Sequence, residues 1–150
     1  MTTPKKGPAT VGFSAIPTLY KLQWEGGNEE YVHCGADTLL NGLDGDLEGE
    51  ARCPVCQNRT RVVITTGKIG GLAPQDAIIH VVERPAKSGR IRIECESTHI
   101  FDKKECFGKW IQVYSGKKGL VESVEDYHNR LIVRRSTKHK APQYMAKLTG

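Results

Sequence analysis

Apolar and polar side chains alternate from Leu19 to Trp24, and the pattern resumes at Glu30 to His33 after Glu25, Gly26, Gly27 and Asn28. Period-two alternation marks a half-buried strand, and a glycine-bearing tetrad between two such runs predicts a hairpin. From Gly35 to Leu43 the apolar spacing becomes helical, GADTLLNGL, with a glycine near its end. Glu48 to Arg52 and Arg59 to Thr66 predict two antiparallel strands joined through CPVCQN, the second rich in β-branched residues. The glycine-rich GKIGGLAPQD that follows predicts a loop. Ala77 to Glu83 is mostly apolar, as a central strand is; PAKSG predicts a turn; Arg90 to Cys95 alternates again and would end a strand on Cys95. Asp102 to Trp110 predicts a helix, and so does Gly119 to Leu131, with apolar side chains at 120, 121, 124, 127 and 131. The expected fold class is α+β, a mainly antiparallel sheet with a few flanking helices.

A length of 150 residues suits one core. We place that domain at residues 16–135, after a Pro/Gly/Lys-bearing flexible arm over 1–15 and before a basic tail over 136–150, with fraying expected after Val133. No apolar run approaches the roughly 20 residues that span a bilayer, and MTTPKKGPATVG lacks the apolar centre of a signal peptide. The expected compartment is therefore the cytoplasm, with no membrane partner. Net charge is +5 and gathers at the ends, in KK and RRSTKHK. A solvated tail explains it better than a nucleic-acid site.

The five cysteines, at 34, 53, 56, 95 and 106, are an odd number in a chain without an export signal, which favours reduced thiols over a disulfide framework. Cys53 and Cys56 form a CPVC knuckle between strands, half of a zinc site, since a two-residue gap lets both sulfurs face one metal. Cys106, Cys95, His99 and His80 are the candidates to complete it. Structural zinc is thus the candidate cofactor; none is required for catalysis. His33 and His99 are expected to pack beside the site rather than ligate, and His128 to lie on the surface. Cys34 and Asp37 stand one turn apart at a helix start, where backbone N–H groups favour a thiolate and depress its pKa from about 8.5.

The segments His33-Cys34-Gly35-Ala36-Asp37-Thr38-Leu39 and Ile93-Glu94-Cys95-Glu96-Ser97-Thr98-His99-Ile100-Phe101 resemble the two active-site motifs of the alkylmercury lyase family. The resemblance runs from Lys21 to Leu131. It covers the family's catalytic half, without its helical, winged-helix-like N-terminal domain. His33 replaces the family's tryptophan, Glu96 stands where another cysteine is frequent, and a structural family cysteine falls near Cys53. The resemblance implies that Cys34 and Cys95 are catalytic and hold substrate mercury as thiolates. It also implies that Asp37 takes a thiol proton and passes it to the leaving carbon. The implied partners are a small organometallic or thiol-reactive substrate and a carrier thiol that accepts the mercuric ion. A divergent thiol-dependent reaction of specialised metabolism and a non-catalytic zinc or soft-metal module are the alternatives.

Overall fold

The computed structural model describes residues 10–85 and 91–140. The larger sheet has six strands in the order β1-β3-β2-β4-β5-β6, each pair antiparallel: β1 (Phe13–Ser14), β2 (Tyr20–Trp24), β3 (Glu29–Val32), β4 (Leu47–Arg52), β5 (Arg59–Thr65) and β6 (Lys68–Ala73). A second, three-stranded sheet has β7 (Ile78–Val81) between β10 (His99–Phe101) and β11 (Leu120–Ser123), and β8 (Glu83–Pro85) pairs with β9 (Ile91–Ile93). Helices α1 (Gly35–Asn41), α2 (Lys104–Val113) and α3 (Val124–Lys140) complete the described residues. The α+β class and its antiparallel pairing are as expected.

Alternation decides which face is buried. Tyr20, Leu22 and Trp24 on β2 point inward with Leu47 and Ala51 on β4 and Val62 and Ile64 on β5, against Leu39 of α1 and Val124, Tyr127 and Leu131 of α3. On the opposite face Lys21 lies 3.5 Å from both Glu29 and Glu50, and Arg59 lies 3.4 Å from Glu50. Such exposed pairs specify register more than they stabilise. The hairpin at residues 25–28 closes through Trp24 N–H to the Asn28 carbonyl at 3.0 Å.

Four expectations change. GKIGGLAPQD is not a loop, because Thr66 and Gly67, both at positive φ (52° and 79°), make a two-residue hairpin turn that folds Lys68–Ala73 back onto β5 as an edge strand. Leu120–Ser123 is a strand rather than the first turn of a helix. All four residues of β7 are buried, so its second edge needs partners for its backbone groups, and β11 supplies them. α3 therefore starts at Val124 and continues to Lys140, past the expected fraying point. His128 is buried at 1% exposure rather than on the surface, donating from Nε2 to the Gly67 carbonyl at 2.8 Å and tying α3 to the β5–β6 turn.

Part of the expected arm belongs to the fold, since β1 pairs with β3 through Phe13↔Val32 and Ser14↔Tyr31. Residues 1–9, 141–150 and 86–90, the last containing most of the PAKSG turn, lie outside the described residues. Among the described residues no helix is long and apolar enough to cross a membrane.

Candidate active site

Leaving β3, the chain turns at Cys34, whose extended backbone (φ −151°, ψ 171°) makes it the N-cap of α1. Gly35 then packs where a side chain has no room: a Cβ there would lie 2.6 Å from Ile100 Cγ1 on β10. The bare backbone lets the start of α1 close on the second sheet, so Cys34 and Asp37 meet a residue 58 positions beyond Asp37.

That residue is Cys95. It does not end a strand; β9 stops at Ile93 and Cys95 opens a 3-10 turn, Cys95–Ser97. The turn is held from several sides. Glu94 N–H donates to the Val82 carbonyl at 2.8 Å, and the Glu94 carboxylate accepts from Ser97 Oγ at 2.7 Å, Lys117 Nζ at 2.9 Å and Arg84 Nε at 2.5 Å. Lys117, Ser97 and Arg84 together bring the Glu94 pKa down to about 2. His80 donates from Nδ1 to the Ser97 carbonyl at 2.9 Å. Tyr20 Oη accepts from the Ile100 N–H at 3.3 Å and donates to His99 Nδ1 at 2.7 Å, which leaves His99 Nε2 to donate to the Glu96 carbonyl at 3.2 Å. Burial lowers the His99 pKa and raises that of Tyr20, so this relay is neutral.

The sulfurs of Cys34 and Cys95 and a carboxylate oxygen of Asp37 lie within 4.8 Å of one another, and Cys95 Sγ is 3.7 Å from Asp37 Oδ2. Cys34 is fully buried, Asp37 is 5% exposed and Cys95 is partly exposed. The helix start does not make Cys34 acidic, contrary to the sequence expectation. Its hydrogen bond to Cys95, burial and the Asp37 charge push the Cys34 thiol far up, outweighing the favourable Asp37 backbone N–H. The same hydrogen bond from Cys34 holds Cys95 below the ordinary thiol range, so Cys95 is the more acidic thiol of the pair. Burial raises the Asp37 carboxyl, against hydrogen bonds from Cys34 that lower it.

A strap covers the carboxylate. Gly12, at φ 69°, runs so close to Asp37 that a Cβ would lie 2.1 Å from Oδ2. Asn41, one turn after Asp37, clamps the strap at both backbone groups of Val11, accepting from its N–H at 2.8 Å and donating to its carbonyl at 2.9 Å. His33 N–H adds a bond to the Gly12 carbonyl at 2.9 Å.

The sequence model described as MerB, alkylmercury lyase, matches residues 13–132, four-fifths of the chain. The chain belongs to the alkylmercury lyase family. Its fold is similar to the crystal structure of the mercury-bound form of MerB2, with a TM-score of 0.66 at 24% identity over 79% of this chain. The chain spans 58% of the length of that protein. No curated protein sequence matches it. The family match contains both motifs and the whole of the sulfur–carboxylate trio, as well as a second cluster absent from the catalytic motifs.

That second cluster joins Cys53, Cys56 and Cys106 with Asp102, their ligand atoms also within 4.8 Å of one another. Of the residues considered for completing the knuckle, Cys106 arrives; Cys95, His99 and His80 do not join it. Asp102 was not foreseen. It sits directly after β10, 46 positions beyond Cys56, and only the pairing of β10 with β7 brings it to the knuckle. Tyr20 was also missed as a support of the Cys95 turn, because its alternation marks it as core and nothing in β2 signals a partner in β10.

Proposed function

We propose that this chain cleaves a carbon–mercury bond by protonolysis. The observation that carries the reading is the convergence of two sulfurs and one carboxylate within 4.8 Å in the alkylmercury lyase fold. Mercury is soft and prefers thiolate. The Cys95 thiolate, the more exposed and more acidic of the pair, takes the organomercurial cation first. Cys34 passes its proton to Asp37 and binds mercury as the second thiolate, which weakens the carbon–mercury bond. Asp37 delivers that proton to the leaving carbon. One organomercurial cation, one thiolate and one thiol thus yield a hydrocarbon and a mercuric bis-thiolate, with Asp37 restored and no change in the mercury oxidation state. A carrier thiol then removes the mercuric ion by ligand exchange.

A raised pKa suits Asp37 to this task, since an ordinary carboxyl near 3.9 gives up its proton too readily to hold one at neutral pH. Incubating the chain with an organomercurial and excess small thiol tests the reading. Stoichiometric release of the protonated hydrocarbon into the headspace is the expected result; mercury retained with its carbon substituent intact would leave only a soft-metal-binding module.

The strap predicts a more local effect. Gly12→Ala adds a Cβ at a positive φ and drives it into the Asp37 carboxylate. We expect cleavage to fall by roughly 10- to 100-fold, because displacing a reacting group by about 1 Å costs that order of rate. The stability loss should be about 1–2 kcal/mol. Thermal unfolding and headspace assays on the same preparation separate the two effects; unchanged cleavage would free the strap from any role in placing Asp37.

A further inference from the structure

The chemistry above makes no use of the cluster at the CPVC knuckle. We propose that Cys53, Cys56, Asp102 and Cys106 form a structural zinc site, a closed centre of three thiolates and one carboxylate that shares no residue with the Cys34, Asp37 and Cys95 trio.

The donors come from three elements that have no local reason to meet: the β4–β5 turn, the residue after β10, and the first turn of α2. Zinc–sulfur bonds of about 2.3 Å in a tetrahedron place sulfurs about 3.8 Å apart, so ligand atoms within 4.8 Å of one another need only a small contraction. The knuckle is already shaped. Gln57 N–H donates to the Cys53 carbonyl at 3.0 Å and Cys53 N–H to the Asn58 carbonyl at 2.8 Å, while Gln57 at φ 70° turns the chain back into β5.

The carboxylate is aimed. Asn58 Nδ2 donates to Asp102 Oδ2 at 3.0 Å, leaving Oδ1 facing the sulfurs, 3.1 Å from Cys56 Sγ. A ligating carboxylate oriented by an outer amide is the usual arrangement of a metal site. Asp102 is 7% exposed, and among the described residues no lysine or arginine forms an ion pair with it. A divalent ion would supply the countercharge that this carboxylate lacks.

Three thiols cannot pair off as disulfides without leaving one over. Sulfur-rich donors select zinc over magnesium or calcium, and four protein ligands leave no open position for substrate, which makes the site structural. Its surroundings are a small satellite core, with Cys53 and Cys106 packed among Ile78, Phe101 and Trp110. Such a cluster gains most from a metal staple. Loading exchanges three thiol protons for one zinc ion; the protons pass to solvent, Asp102 binds as carboxylate, and nothing is oxidised or reduced.

Metal analysis of the full chain, purified without added metal and after removal of its weakly held ions, should find about one zinc per chain. A strong chelator should lower Tm by on the order of 10 °C, reversed by added zinc. Cobalt(II) exchange should give intense thiolate-to-metal absorption and the visible bands of a tetrahedral ion, a readout on the parent chain that stands even where Cys106→Ser fails to fold. Folded Cys106→Ser should lose zinc at least about tenfold, and Cys34→Ser should keep it. Metal-free protein whose Tm ignores both chelator and zinc overturns the proposal, as does a Cys53–Cys56 disulfide in the metal-free chain or zinc that departs with Cys34→Ser. None of these readouts depends on carbon–mercury cleavage.

Discussion

Cys95→Ser is expected to lower hydrocarbon release by at least about 1,000-fold, because it removes the nucleophile that meets the organomercurial first. Cys34→Ser should lose as much cleavage, for a different reason: it removes the second sulfur and, with it, the proton that Asp37 would carry. The rate of mercurial capture separates the two roles. Its interaction with Cys34 makes Cys95 the more acidic thiol, while the fully buried Cys34 is pushed up by that interaction, by burial and by the Asp37 charge. Cys34→Ser should therefore still capture the organomercurial quickly, since a hydroxyl donates to the thiolate in the thiol's place, and keep it with the carbon substituent attached. Cys95→Ser should capture slowly. Intact-mass kinetics at substoichiometric mercurial read both rates; the opposite ranking would return the first attack to Cys34, and substantial cleavage by either variant would remove the two-thiolate mechanism.

Much of this site is legible along the chain because its information is local. The Cys34 and Asp37 spacing needs only one helical turn, and the alternation of Tyr20–Trp24 and Arg59–Thr65 reports which face each strand buries. The acidity order of the two thiols is not local. It arises from Cys34 meeting Cys95, 61 residues later, at a distance made possible by the missing side chain of Gly35 against Ile100. Asp102 and Tyr20 escaped for the same reason, since their partners are set by how β10 crosses the knuckle and β2. The Leu120–Ser123 segment carries apolar residues consistent with either period, and the unfilled edge of β7 decides for a strand. Lys68–Ala73 has loop composition yet pairs because a two-residue turn brings it beside β5, where backbone hydrogen bonds do not require large side chains.

Asp37→Asn should separate mercury binding from carbon protonation, and should do so while making the protein more stable. The amide cannot accept the Cys34 proton or deliver one to carbon, so cleavage should fall by about 100- to 10,000-fold, the usual worth of a general acid. Both sulfurs remain, and the variant should retain the organomercurial as a stable adduct. Stability follows from the direction of the carboxyl shift. Burial raises the Asp37 pKa in the folded chain above its unfolded value, so the folded state favours the protonated form. That preference contributes fully below the unfolded value of about 3.9 and is lost as pH rises through the folded pKa. Above the unfolded value the parent bears the cost of that preference, in a site 5% exposed, and the neutral amide does not. Asp37→Asn should therefore melt roughly 2 °C or more above the parent at pH 7–8, with the difference closing toward pH 4. A difference that grows with acid instead would mean that the folded state prefers the carboxylate, and Asp37 would be too weak a base to hold the proton that the reaction moves.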